Sequence, residues 1–359
     1  MKRIKWKNLA NSVLPVFFAL LIGAVIMLAM GHNPLNAYRI MFERPLFTLR
    51  GLTNTLHIAG PLLLAGLAIA VTFRSNLYNM GVEGQLIFGG FLAGLAGAYL
   101  HIPNPFLHKF VCLVVGIIAG MMFVLIPAIL RAFLRVDEMV VTLTLNYVMM
   151  TVLEYLSSGP FRNQGAGYVS TNTIDKTAMF NRIGKTRLTP FFIIAFLVFL
   201  LFFFMHKRMV FGYRGEAVGK NPEFAEATGL RVRRHIVQVM IISGALAGLA
   251  GAGHMMSHEF NYTLSFSGTP GIGWDGMLIS LLGGHSPAGV LIATVFYSAL
   301  KTGSDNINMY TGIPKEIVAI IQGLIVLFLS IRFINDRFGL TKRWRNKRNM
   351  KGTVHGTFE

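Results

Sequence analysis

The sequence predicts an all-α, polytopic membrane protein, and three observations support this fold class. Of its 359 residues, 53% are hydrophobic and 13% are charged, whereas about a quarter of a soluble domain is charged. Apolar runs long enough to cross a bilayer, about 20 residues each, recur along the chain. Lysine and arginine number 33 against 15 acidic residues, an excess typical of membrane proteins with basic cytoplasmic loops. We therefore assign the net charge of +18 to membrane orientation and not to nucleic-acid binding.

Ten segments are predicted to be membrane-spanning helices. The first follows a basic N-terminus, as in a signal peptide, but it is too long for one and lacks a small-residue cleavage site, so we expect it to remain. The eighth is too short to cross alone, and we expect it to begin in a buried loop or to be broken. The segments are approximately 12–30, 54–73, 84–100, 107–130, 138–156, 190–206, 235–256, 273–283, 287–304 and 315–331.

The basic residues predict the orientation of these spans. With the N-terminus inside, the cytoplasmic segments carry 22 lysines and arginines and the outer segments carry 11. Both termini are then cytoplasmic by the positive-inside rule. We expect one transmembrane domain over residues 1–335 and a basic cytoplasmic tail over 336–359. The domain divides into an N-terminal span with an outer loop (1–53), a first repeat half (54–156), a connecting region with the sixth span (157–234) and a second repeat half (235–331).

Two internal matches indicate different things. Residues 89–98 and 243–252 are identical at eight of ten positions, but small residues at this spacing are typical of close helix packing in lipid, so we interpret the match as packing. A quieter match pairs the turns 81–84 and 273–276, in each of which an acid followed by glycine opens a helix. The matched elements run in opposite directions through the membrane, which predicts inverted-repeat halves with broken helices along a transport path. Companion matches in the same order pair 58–62 with 242–246 and 138–140 with 316–318.

Polar residues predicted inside the membrane mark candidate functional positions. Acids at helix starts either accept hydrogen bonds from free backbone N–H groups or contact a substrate, and both interpretations stay open. The fifth span carries polar residues at intervals of four, which places them on one helix face. Among them, Asn146 suits either an uncharged polyhydroxylated solute or a hydrogen bond to a neighbouring helix. The acids are Glu83, Glu138, Asp275 and Glu316, and the face comprises Glu138, Thr142, Asn146, Met150 and Glu154.

The segment 213–230, between the sixth and seventh spans, is predicted to hold a short cytoplasmic helix. Asn221 is a suitable N-cap, Pro222 fits the first helical position and Gly229 ends the helix. A helix this short is marginally stable alone, which favours a partner surface with Phe224 as the apolar contact. The alternative is an amphipathic helix that rests on lipid headgroups.

Taken in order, these motifs resemble a known family. They are residues 73–85, 135–147, 215–230 with 242–251, and 273–276 with 282–284. The set resembles the permease subunits of ABC importers of the branched-chain amino acid, ribose and nucleoside group, and is most similar to the nucleoside or simple-sugar permeases. The segment 138–147 favours the nucleoside-like branch over the ribose-like one.

The resemblance implies a multi-pass permease of a bacterial-type plasma (inner) membrane, with no enzymatic site and no cofactor of its own. A cytoplasmic ABC ATPase would bind ATP and Mg²⁺, a second identical or homologous permease would complete the membrane unit, and an extracytoplasmic lipoprotein would deliver a small polar solute. ATPase coupling is expected at Gly215, Glu216, Ala217, Gly219, Asn221, Glu223, Phe224 and Gly229. For the translocation pathway the family supplies the region, and we infer the residues Asn79, Glu83, Gln85, Asn146, Trp274 and Asp275.

Two other functional classes fit the sequence less well. An ion-coupled secondary transporter also contains inverted repeats, but no relay of acids and histidines is apparent in the middle of the spans, and such a transporter gives no reason for the capped helix. An intramembrane enzyme needs a nucleophile with its base or a metal motif. The histidines form no HExxH motif, and Cys112 has no second cysteine with which to form a disulfide.

Overall fold

The computed structural model describes residues 20–267, 271–314, 320 and 323–324. Within these ranges the regular secondary structure is helical, apart from one isolated antiparallel bridge between Ser170 and Thr263. The all-α prediction is therefore confirmed for this part of the chain. Most of the tenth predicted span, Glu316 and the basic tail lie outside the described residues.

The helices follow one another with short connections, except for the long segment between α6 and α7. Their bounds are α1 Leu20–Ala29, α2 Pro34–Phe47, α3 Leu49–Arg74, α4 Val82–Tyr99, α5 Pro105–Leu134, α6 Glu138–Ser158, α7 Phe191–Arg208, α8 Val210–Lys220, α9 Pro222–Ala227, α10 Val232–His254, a π-helical turn Met255–Glu259, α11 Leu264–Ser267, α12 Ile272–Leu282 and α13 Pro287–Thr311.

Five of the described helices are long and apolar enough to cross a membrane, namely α3, α5, α6, α7 and α10 with its π-helical turn. The predicted eighth span corresponds to α12, which has 11 residues and follows Gly271 at a φ of 72°. A short helix that starts at a glycine turn agrees with the expected short or broken segment. The ten-span topology and the inverted repeat stay predictions.

Within the segment predicted to hold the outer loop between the first two spans, residues 34–47 form α2. Asn33 accepts hydrogen bonds from the backbone N–H groups of Leu35 (3.0 Å) and Asn36 (3.3 Å), and Pro34 occupies the first helical position. This is the cap-and-proline pattern that predicts helix starts elsewhere in the chain. Arg39, Glu43 and Arg44 interrupt the apolar residues of α2, so hydropathy did not mark a helix that its N-terminal signal indicates.

The described chain falls into two units, one of residues 43–302 and one of the described residues among 1–42 and 303–359. In the larger unit, α10 packs against both α4 and α5 through glycines. A Cβ atom on Gly248 of α10 would overlap the carbonyl oxygen of Gly116 in α5, and one on Gly251 would overlap that of Leu86 in α4. The match between 89–98 and 243–252 is thus a packing pattern, as predicted.

The smaller unit has a similar close contact. A Cβ atom on Gly303 of α13 would overlap the carbonyl oxygen of Met41 in α2. The Tyr38 hydroxyl donates a hydrogen bond of 2.6 Å to the carbonyl oxygen of Leu20. Backbone approach at a glycine and a half-buried hydrogen bond therefore contribute to the packing of these helices.

Candidate functional site

One face of α6 holds the loop that leads into α4. Glu138 accepts a hydrogen bond from the backbone N–H of Tyr78 (2.9 Å) and pairs with Arg131 (2.9 Å). Thr142 accepts from the backbone N–H of Met80 (3.1 Å). Because these partners are backbone groups of a non-helical segment, the side chains of α6 replace the hydrogen bonds that the segment does not make within itself.

Asn146, one turn further along α6, caps α4 from the side. Its Oδ1 accepts from the backbone N–H of Gly84 (3.0 Å), and its Nδ2 donates to the carbonyl oxygen of Met80 (2.7 Å). Gly84 lies in the first turn of α4, whose own N-cap residue, Gly81, supplies no capping side chain. Asn146 therefore satisfies a free N–H group of that helix start. Of the two interpretations left open by the sequence, the helix-to-helix hydrogen bond is observed.

Asn79 of the loop before α4 and Gln85 of α4 form a reciprocal amide pair. Asn79 Nδ2 donates to Gln85 Oε1 (3.1 Å), and Gln85 Nε2 donates to Asn79 Oδ1 (3.0 Å). Asn79 also donates to Ser243 Oγ of α10 (2.8 Å), and Ser243 donates in turn to the carbonyl oxygen of Ala68 in α3 (2.6 Å). This chain of hydrogen bonds joins α3 and α10 to the start of α4 through buried side chains.

Glu83 joins the starts of two short helices. It lies in the first turn of α4, and its carboxylate accepts hydrogen bonds from the backbone N–H of Gly271 (2.8 Å) and of Gly273, at the start of α12. The side chain is 1% exposed. A negative charge at a helix N-terminus is favoured by the helix dipole, and here two N-termini converge on one carboxylate. The two turns that the sequence pairs as a repeat are therefore in contact.

The matching acid of the second turn has different partners. Asp275 accepts a hydrogen bond from the Tyr297 hydroxyl and pairs with the Lys301 ammonium group at 2.8 Å, both on α13. Its neighbour Trp274 is 37% exposed. The capping interpretation of the acids is thus observed for Glu83 but not for Asp275, which binds side chains instead of backbone N–H groups.

The six predicted pathway residues separate into two groups. Four lie at the start of α4 and on the facing side of α6, are at most 1% exposed and bond to protein groups; Trp274 and Asp275 lie in the first turn of α12 and are more accessible. The buried four are Asn79, Glu83, Gln85 and Asn146.

The predicted coupling segment consists of two helices where the sequence predicted one. α8 ends at Lys220, and Asn221 then caps α9, accepting from the backbone N–H of Phe224 at 2.9 Å. The predicted N-cap and the end of the helix near Gly229, which has a φ of 88°, are confirmed. The separate α8 is a correction, because Asn221 has an extended backbone that interrupts the helical hydrogen bonds.

Two glycines of the predicted coupling set have a packing role. A Cβ atom on Gly219 would overlap the carbonyl oxygen of Arg74 at the end of α3, and one on Gly215 would lie 3.1 Å from Ser75 Oγ. Glu216 pairs with Lys220 at 2.8 Å and with Arg74 at 3.7 Å. The hydrogen bond from Lys220 holds the pKa of the Glu216 carboxyl below its ordinary value. This side of α8 therefore faces the end of α3.

The rest of the segment surrounds a small apolar core. Val218 of α8, Ala225 of α9 and Val232 of α10 are buried together. Phe224, next to Ala225, is instead 67% exposed. Ala217 and Glu223 take no part in this core, and Glu223 lies in the first turn of α9. An apolar ring on the outer side of a two-turn helix is the most prominent contact feature of this segment.

Residues 51–330 match the family described as the permease component of the branched-chain amino acid transport system. The chain belongs to this permease family. The match covers more than three quarters of the chain. It includes Glu83, which joins the starts of α4 and α12, and the segment α8–α9. The resemblance inferred from the motifs is thus confirmed, and the protein is a membrane protein of the ABC transporter permease class.

Three similar proteins align with about nine-tenths of the permease. It is 31% identical to the nucleoside ABC transporter permease protein NupB of Lactococcus lactis over 92% of this chain and 93% of that protein. It is 31% identical to the guanosine ABC transporter permease protein NupP of Bacillus subtilis, over 91% and 97%. It is 30% identical to a glucose ABC transporter permease of Haloferax volcanii, over 90% and 87%.

One cluster of the permease has no counterpart in the sequence-based predictions. The rings of His57 and His258 stack with centroids 3.8 Å apart, those of His258 and His254 at 4.6 Å, and Phe266 follows at 5.6 Å from His254. His254 precedes the π-helical turn at the end of α10, and His258 lies within that turn. Residues that far apart in sequence give no local signal, since the stack requires α3 and α10 to be side by side. Among the described residues, no group of three or more His, Cys, Asp or Glu side chains is arranged to hold a metal ion.

The segment between α6 and α7, whose role the motifs do not address, packs on this end of α10. The backbone N–H groups of Thr171, Ile174 and Phe180 donate to the carbonyl oxygens of Tyr262 (2.9 Å), Phe260 (2.9 Å) and Met256 (3.0 Å). These bonds satisfy carbonyl groups in the π-helical turn and in the residues that follow it. The segment therefore covers one end of the helix bundle of the larger unit.

Proposed function

We propose that this permease forms the translocation path for a nucleoside or a simple sugar in an ATP-driven importer of the plasma membrane. Identity of 30–31% to nucleoside, guanosine and glucose permeases, over about nine-tenths of the chain, is the observation that carries the substrate class. Nucleosides and sugars share a polyhydroxylated ring. Competition in a transport assay distinguishes the two substrate classes.

The proposal includes three partners. A cytoplasmic ABC ATPase hydrolyses ATP and docks on α9 through Phe224, whose exposed ring supports an apolar contact. A second permease, identical or homologous, pairs with this one, and an extracytoplasmic lipoprotein delivers the solute. Both termini lie in the cytoplasm. The excess of basic residues in the segments assigned to that side supports this orientation.

Within the path, the two groups of polar residues have different roles. Glu83 holds the starts of α4 and α12 together, since its carboxylate accepts from the backbone of both glycines there. Asn79, Gln85 and Asn146 fix the start of α4 to α10 and α6 through buried hydrogen bonds. Trp274 on α12 faces the solute, and its 37% exposure supports this role. A broken helix held rigidly at its start is a common support for a substrate site in transporters.

The experiment is uptake of a radiolabelled nucleoside into proteoliposomes that contain the permease, its ATPase and the substrate-binding lipoprotein. We expect uptake to require ATP on the ATPase side, to continue after ionophores collapse proton and sodium gradients, and to be competed by nucleosides or by glucose. Uptake driven by an ion gradient without ATP would identify a secondary transporter. Competition by amino acids alone would overturn the substrate class.

A further inference from the structure

A cavity of about 330 Å³ lies between α8, the turn after α9 and the start of α10. Arg214 of α8 lines one side, and Arg231 and Arg234 at the start of α10 line the other. His235 and Gln238 complete the polar lining, and no carboxylate is present among the described lining residues. The cavity therefore concentrates positive charge on a surface formed by two helices and a turn.

The guanidinium groups of this cavity have no counter-ion within the described chain. Arg214, Arg231 and Arg234 form none of its ion pairs, and the acid nearest to Arg214 in sequence, Glu216, is held by Lys220 at 2.8 Å and by Arg74 at 3.7 Å. Like charges that are held close together repel one another. An anion placed among them would remove this repulsion and accept hydrogen bonds from the planar guanidinium groups.

His235 is a second, independent indication of a ligand. It is 5% exposed, it lines the cavity, and both ring nitrogens are buried without a hydrogen-bond partner in the described structure. The Phe211 ring lies 5.5 Å from the imidazole ring and offers it no hydrogen bond. Because a buried polar group without a partner is unfavourable, an oxygen-rich ligand in the cavity would stabilise this histidine.

The backbone contributes to the same cavity. α10 has 23 residues, and its N-cap residue Arg231 provides no capping hydrogen bond from its side chain. The positive φ of Gly229, 88°, directs the chain from α9 back toward this helix start. The N-terminus of a long helix attracts an anion through its free N–H groups and its dipole. Here it lies beside the arginines and His235.

We propose that this cavity binds a phosphate group. A phosphate has more acceptor oxygens than a carboxylate, and it suits three guanidinium groups, one imidazole and a helix N-terminus together. The phosphate belongs either to the headgroup of an anionic lipid or to a soluble phosphate compound. α7, which is apolar enough to span a membrane, ends at Arg208 shortly before α8, and α10 begins beside the cavity. This places the cavity at the level of lipid headgroups, where basic pockets between helices bind anionic lipids.

The test compares two variants of the full-length permease with equal loss of charge. In the first, Arg231→Gln and Arg234→Gln remove two cavity arginines; in the control, Arg208→Gln and Arg233→Gln remove two exposed arginines that do not line the cavity. For the lipid source, phosphatidylglycerol is added to phosphatidylcholine nanodiscs that hold the permease, and native mass spectrometry measures how much of it the permease retains. Oleate is the carboxylate comparison. For the soluble source, calorimetry in detergent measures binding of inorganic phosphate and of AMP to the permease, with succinate as the carboxylate comparison.

We expect the unsubstituted permease and the control to bind a phosphate probe equally, and the cavity variant to bind about tenfold to hundredfold more weakly. Preference for phosphatidylglycerol identifies the lipid source, and binding of inorganic phosphate or AMP identifies the soluble one. The proposal is overturned if the carboxylates bind as tightly as the phosphates, or if both variants lose binding equally. It is also overturned if the isolated permease binds no probe and the arginines affect only association with an ATPase, which would make the cavity a protein-docking surface.

Discussion

The carboxylate of Glu83 accepts a hydrogen bond from the backbone N–H of Gly273, 190 residues further along the chain. Each residue belongs to one of the two glycine–acid turns that the sequence pairs as a repeat. The contact brings two helix N-termini to one negative charge, which offsets the partial positive charge of both. Helices that start inside a membrane protein need such partners, because their first N–H groups have no water to bind.

The contact requires glycine at position 273. A Cβ atom there would lie 2.6 Å from the backbone nitrogen of Glu83, so Gly273→Ala would force α12 away from α4. We expect the free energy of unfolding of this permease variant to fall by about 1–3 kcal/mol, measured as a lower Tm in detergent. Gly167→Ala is the matched control, since no atom lies within 4 Å of a Cβ atom at that position. An equal Tm for the two variants would contradict the close approach of the two helix starts.

Removal of the charge at Glu83 tests the same junction without a change of volume. Glu83→Gln replaces one of two acceptor oxygens by an NH₂ group, which cannot accept from Gly271 or Gly273. We expect a loss of about 1–3 kcal/mol, because a buried N–H group is left without a partner. Glu154→Gln is the control, because Glu154 is exposed near the end of α6, and it should leave the Tm unchanged. A Tm for Glu83→Gln equal to that of the unsubstituted permease would show that the carboxylate is not needed as a cap.

Variants at Trp274 and Asn146 distinguish substrate contact from structural support. Asn146→Leu leaves the N–H group of Gly84 and the carbonyl group of Met80 unpaired, so we expect a lower Tm and an unchanged order of competing substrates. Trp274→Ala removes a partly exposed ring, and we expect a changed uptake rate or substrate order with little change in Tm. The measurement is uptake competition in proteoliposomes together with thermal denaturation. The reverse pattern, in which Asn146→Leu alone alters the substrate order, would place Asn146 in the path.

A variant at Phe224 tests whether the ATPase docks on α9. Phe224→Asp places a charge on the exposed ring position of α9, and we expect loss of ATPase co-purification and of uptake, while insertion into the membrane persists. Phe106→Asp is the control, because Phe106 is 81% exposed in the first turn of α5. Retention of the ATPase by Phe224→Asp would reject α9 as the docking helix.

Local signals account for what could be predicted. Apolar length predicted the spans, and Asn221 with Pro222 predicted the start of α9, because caps and hydropathy depend on neighbouring residues alone. The same logic indicates α2, where Asn33 and Pro34 form an equivalent start that a hydropathy-based reading passes over. α8 was missed for a different reason: Gly215 and Gly219 weaken a helix in isolation, but in the folded chain they pack on the end of α3.

The sequence by itself determined the class of protein, the family and the positions at which polar residues enter the membrane helices, since composition and motif order are properties of the chain. The tertiary structure decided what those residues touch. Intervals of four place Glu138, Thr142 and Asn146 on one face of α6, but the loop before α4 that they hold is more than 50 residues away in sequence. The arginine-lined cavity likewise exists only where α8 meets the start of α10. Hydrogen bonds and charge act over a few ångströms, so partners distant in sequence are known only once the helices have packed.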